Sequence, residues 1–87
     1  WLEVYGWASW TPKKAILVLR NPSDKPQAFR ITLQDALELP MGAATSYTGR
    51  SPWKSDAGRP ALALNARVPH TIHLEPFEVL TLDLTPR

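Results

Sequence analysis

Leu74-Glu75-Pro76-Phe77-Glu78-Val79-Leu80-Thr81-Leu82-Asp83-Leu84 is the stretch whose reading decides the fold. From Glu78 onward three leucines alternate with Thr81 and Asp83, and a backbone of period two sends Leu80, Leu82 and Leu84 to one face and the polar groups to the other. This is a half-buried β-strand. A face of three leucines needs a partner surface, and the earlier apolar runs have the length and period to supply it.

Working back from that strand, Glu3 to Trp10 is aromatic and β-prone, with Val4 and Gly6 on one parity and Tyr5, Trp7 and Ser9 on the other. Thr11-Pro12-Lys13 breaks it, and Lys14 to Arg20 resumes as a nearly continuous apolar run. The pair predicts an antiparallel hairpin whose second member is a central strand. Asn21-Pro22-Ser23-Asp24-Lys25-Pro26 is a turn by mechanism, since Asn, Ser and Asp side chains bond to nearby backbone. Gln27 to Leu33 alternates cleanly. Leu33 and Leu37, one helical turn apart, predict a short helical turn near residues 33–39, stopped by Pro40 and Gly42 and packed across an open end of the sheets.

Ala44 to Thr48 is weakly strand-like and leads into Gly49–Pro60, the longest polar stretch, read as a connection of functional or mobile character. Alternation returns through Leu62 and Leu64 and again through Ile72 and Leu74, and Pro76 separates that strand from the last. The expected fold is all-β: a two-sheet antiparallel β-sandwich of about seven strands in one domain, residues 1–87.

An 87-residue chain hides only roughly 60 to 65% of the surface that its unfolded form exposes, so it builds one small core. Without cysteine it has neither a disulfide nor a thiolate metal site, and the redox compartment stays open. The sequence pI is near 9.3. Ten Lys and Arg against eight Asp and Glu nevertheless leave a net charge of only +2, without a like-charge run, so nucleic acid is not an expected partner. No apolar run has the length of a membrane span, and no signal-peptide pattern opens the chain. The first residue is Trp1 and the only methionine is Met41, which suggests residues excised from a longer polypeptide.

Candidate reactive groups are sparse. His70 and His73, three apart on a strand, project to opposite faces and cannot share a metal; His73 and Glu75 share a face but need a further ligand. Glu3, Glu75, Glu78 and Asp83 sit at outward positions where solvated charge is the ordinary explanation for a carboxylate, and no serine lies in a nucleophile elbow. No catalytic residue, cofactor or metal site is expected. Trp1, Trp7, Trp10 and Trp53 form the one constellation with functional potential, as core or interface filler or as faces that stack on a sugar. Trp7, Trp10 and Trp53, with Arg50 and Arg59 near the last, are the candidate sugar or domain-interface contacts. Trp7 and Trp10 fall on opposite strand faces, so at least one looks away from the core.

Three segments carry a resemblance: Tyr5-Gly6-Trp7-Ala8-Ser9-Trp10, Ile16 to Gln27 with its Asn-Pro-Ser turn, and Ile72 to Leu82 around Pro76. The chain resembles the small C-terminal β-sandwich that follows the catalytic barrel in glycoside hydrolases of the α-galactosidase clan, including bacterial proteins labelled "putative enterotoxin" or α-galactosidase-like. The likeness spans most of the chain and thins from Gly49 to Ala66. In that clan the catalytic carboxylates reside on the barrel, so the resemblance carries no catalytic residue onto this chain. It implies an accessory domain that packs on and stabilises the preceding catalytic domain and borders the sugar cleft. The alternative is a carbohydrate-binding module built on Trp53 and one N-terminal tryptophan. A barrel that covers Trp1, Val4 and Trp7 would leave an apolar patch on the domain when it is isolated.

Overall fold

A computed structural model describes residues 3–56 and 58–87; Trp1, named above, and position 57, inside the Gly49–Pro60 connection, lie outside the described residues. Seven strands run in the order β1 (Tyr5–Trp10), β2 (Ala15–Arg20), β3 (Gln27–Ile31), β4 (Ser46–Arg50), β5 (Leu62–Asn65), β6 (His70–Leu74) and β7 (Val79–Pro86). One helical turn, α1 (Leu33–Ala36), follows β3, and a 3₁₀ turn, Lys54–Asp56, interrupts the link between β4 and β5. The strands form two antiparallel sheets, β1-β2-β7-β4-β5 and β3-β6. The expected β-sandwich is therefore the fold.

The last strand is the middle of the larger sheet, flanked by β2 and β4. Its period-two pattern buries Leu80, Leu82 and Leu84, and its partners contribute Ala15, Leu17, Leu19 and Tyr47 to the same layer. The smaller sheet covers this layer with Ile31, Ile72 and Leu74. Among the described residues fourteen apolar side chains make up the buried cluster, and burying each large one contributes about 1.5–3 kcal/mol. The alternation read from the sequence is thus the alternation of core and solvent.

β1 and β2 form the predicted hairpin, with Trp10 opposite Ala15 and Thr11 exchanging backbone hydrogen bonds with Lys14 at 2.8 and 3.3 Å. β2 is an internal strand, paired on both edges. Gly6 is required where the two strands approach, because a Cβ there would stand 1.8 Å from the carbonyl oxygen of Val18.

The turn after β2 is built around Asn21, a fully buried polar side chain. Its Oδ1 accepts the Ser23 N–H at 3.0 Å and the Gln27 amide at 2.6 Å, and its Nδ2 donates to the carbonyls of Lys25 at 2.8 Å and Glu75 at 3.0 Å. The mechanism expected for this turn is present, and it also reaches a distant part of the chain.

Leu33 and Leu37 are both buried, as their one-turn spacing predicts, and Gln34 N–H ties α1 to the Ala66 carbonyl at 2.9 Å. The regular helix stops at Ala36, before Pro40 is reached, because Glu38 turns left-handed with φ 51°. Leu39 N–H then donates to the Gln34 carbonyl at 3.1 Å and Glu38 N–H to that of Asp35 at 3.3 Å, a Schellman ending with glutamate where glycine is usual.

Two boundaries differ from the sequence reading. β4 begins at Ser46 and extends through Gly49 and Arg50, which the sequence placed in the polar connection. Gly49 belongs to the strand because it faces inward with no room to spare: a Cβ would lie 3.1 Å from the Leu84 side chain. Val4 and Trp7, grouped above as one apolar patch, lie on opposite sides, since Val4 packs on the core while Trp7 is exposed.

Candidate functional site

Two strands cannot cover five, so both long seams of the sandwich are open. Along β1 and β3 a groove of about 210 Å³ is lined by Gly6, Ala8, Leu17, Phe29 and Ile31. Along β5 and β6 a groove of about 260 Å³ has Leu62, Ile72, Leu80 and Leu82 below Arg59 and His73. Among the described residues no cluster of three or more His, Cys, Asp or Glu groups is placed to hold a metal, and no helix is long and apolar enough to cross a membrane.

The tryptophans separate by strand parity. Trp7 pairs with Val18, which in turn pairs with Thr81, so these three form a row across the outer face of the large sheet, with Trp7 60% exposed. Trp10, three residues on, has the inward parity; it is half-buried against the core and its Nε1 donates to the Tyr47 hydroxyl at 3.3 Å. Of this pair, Trp7 is the one that looks away from the core.

Trp53 lies in the β4–β5 connection and is 59% exposed. This connection is held by its own polar groups. The Ser51 hydroxyl donates to the Asp56 carboxylate, Asp56 N–H donates to the Trp53 carbonyl at 3.0 Å, and Arg59 N–H to the Asp56 carbonyl at 2.9 Å. Arg59 also reaches Glu78 at 3.1 Å and Asp56 at 3.8 Å, fastening the connection to the start of β7. Glu78 in turn accepts the Glu75 N–H at 2.8 Å. Arg50 ends β4 opposite Asp83 in the register, and Asp83 pairs with Lys14 at 3.4 Å.

The five candidate residues thus do not converge on one spot. Arg59 and Trp53 share a connection and Arg50 opens it, whereas three strand steps, about 14 Å at the usual spacing, separate β1 with Trp7 from β4. His70 and His73 also part: the Asn65 N–H donates to His70 Nε2 at 3.0 Å, and His73 stands exposed on the small sheet.

The sequence reading passed over Phe77. Pro76 and Phe77 are the central residues of a four-residue turn closed by Glu78 N–H on the Glu75 carbonyl at 3.0 Å, and Phe77 has φ 58° and is 62% exposed. That position of a type II turn belongs to glycine, so an aromatic directly after Pro76 was the available signal.

No protein-family model matches the chain, and no curated protein matches it. Among solved structures it is similar to a Bacillus halodurans protein named "putative alpha-N-acetylgalactosaminidase", with a TM-score of 0.71 and 22% identity. The likeness covers 97% of this chain and 18% of that one. The two share a fold, and this chain corresponds to a small part of a much longer polypeptide.

Proposed function

We propose that this chain is a non-catalytic accessory domain that packs on and stabilises the catalytic domain of a glycoside hydrolase-like polypeptide. The observation that carries the reading is the match of nearly the whole fold to under a fifth of a longer protein with a glycosidase name. The carboxylates support it. Asp56 and Glu78 fasten the β4–β5 connection, and Asp83 pairs with Lys14, so these groups are engaged in holding the surface together. Two measurements test the proposal. The 87-residue chain should release no aryl alcohol from aryl α-galactosides or α-N-acetylgalactosaminides, and turnover above buffer overturns it. Deleting these residues from the natural polypeptide should lower the melting temperature of what remains, and an unchanged melting temperature removes the stabilising role.

A second reading is favoured by one observation: Trp53 is exposed on a connection already fixed by Ser51, Asp56 and Arg59, so little order would be lost if a sugar ring stacked on its indole. Titration with an oligosaccharide panel should then give a saturable fluorescence change that Trp53→Ala abolishes. No saturable change across the panel discards it.

A further inference from the structure

Among the described residues eight large apolar side chains are exposed; Met41, Trp53, Leu62 and Val68 are scattered over loops and the β5 edge, and the other four fall close together. Tyr5, Trp7 and Val79 lie on the outer face of β1, β2 and β7, and Phe77 precedes Val79 by two residues in the turn that leads into β7. The register arranges this face in rows: Tyr5, Arg20 and Val79; Trp7, Val18 and Thr81; Ser9, Ile16 and Asp83. The outward positions of the small sheet are instead Ala28, Arg30, Thr71 and His73.

The charges within the apolar face are already engaged. Arg20 Nη1 donates to the Tyr5 hydroxyl at 3.0 Å, with the guanidinium carbon 5.9 Å from the ring centre, and Asp83 pairs with Lys14. Asp83 can lose its water against Lys14, whereas Arg20 meets only a hydroxyl and a ring, so whatever docks here has to bring an acceptor to the guanidinium. Three strands by five residues measure about 14 by 17 Å, on the order of 250 Å² in plan, which approaches the ~300 Å² per side of the smallest inter-domain contacts. Phe77 adds an independent sign. A bulky left-handed residue stores strain, here on an aromatic ring left in solvent, and strain of that kind concentrates where surfaces bind.

We infer that the outer face of β1, β2 and β7 is the surface on which the adjacent catalytic domain docks, through an apolar patch of its own, with Trp7 and Phe77 as the anchoring side chains. The inference rests on the accessory-domain reading and names its contact face. Hydroxyl-radical footprinting of the natural polypeptide tests it, using Trp53 as an internal control because its exposure in this domain equals that of Trp7 within a percentage point. The expected result is several-fold protection of Trp7 and Phe77 relative to Trp53 and to the fully exposed Met41. Protection of Trp53 or Met41 with Trp7 and Phe77 reactive overturns the face and leaves the accessory reading standing. Reactivity at all four positions unchanged from that of the isolated domain overturns the face, while the accessory reading falls only if deleting the domain leaves the melting temperature of the remainder unchanged.

Discussion

The Asn21 side chain donates to the Glu75 carbonyl at 3.0 Å across a separation of 54 residues, joining the turn that leaves β2 to the turn that enters β7. These two strands are neighbours in the large sheet, and Asn21 N–H also donates to the Glu78 carbonyl at 2.9 Å. Asn21→Ala removes at once the side-chain partner of the Ser23 N–H and of the Lys25, Leu74 and Glu75 carbonyls, groups that are part-buried or, at Leu74, buried. The expected loss is roughly 2–4 kcal/mol, read as a lower denaturation midpoint at unchanged slope. A loss under half a kilocalorie would mean that water replaces the amide.

Phe77 and Glu38 are the two non-glycine residues with positive φ among those described, at 58° and 51°. Replacing either by glycine removes a Cβ clash, so Phe77→Gly and Glu38→Gly should each stabilise the isolated domain by about 0.5–1 kcal/mol. Thermal melts read the gain. For Phe77→Gly the gain should be accompanied by weaker docking, whereas Glu38→Gly, at the far end of α1, should leave docking unchanged.

Gly6→Ala places a methyl group against the backbone of β2, and backbone cannot rotate away. It should cost more than about 2 kcal/mol and abolish amide-exchange protection across β1. Gly58→Ala is the matched control. Nothing lies within 4 Å of a Cβ there, so its effect should stay within about half a kilocalorie.

Arg59 is half exposed, and its ion pairs with Glu78 and Asp56 should contribute under about 1 kcal/mol to global stability. Their effect is local. Arg59→Ala should leave the melting temperature nearly unchanged while accelerating amide exchange from Trp53 to Arg59, and high salt should produce part of the same change. If exchange in that segment does not rise, the connection is held by Ser51 and Asp56 alone.

The sequence by itself determined the strands and the side of each that turns inward. Leu80, Leu82 and Leu84, like Ile72 and Leu74, declare their face because strand periodicity is a local property of the backbone. The β1–β2 hairpin and the Asn21 turn were legible for the same reason, since their partners lie within a few residues. Beyond that hairpin, tertiary structure alone decided which strands pair. β5, β6 and β7 follow one another closely in sequence, yet β6 joins the small sheet and the other two the large one. It also decided that Trp10 is held by Tyr47, 37 residues away, that Gly49 belongs to a strand because Leu84 fills the space beside it, and that Trp7 and Trp53 stand apart. Each of these depends on contacts between distant residues, and a period of two fixes the face of a strand without choosing its neighbour.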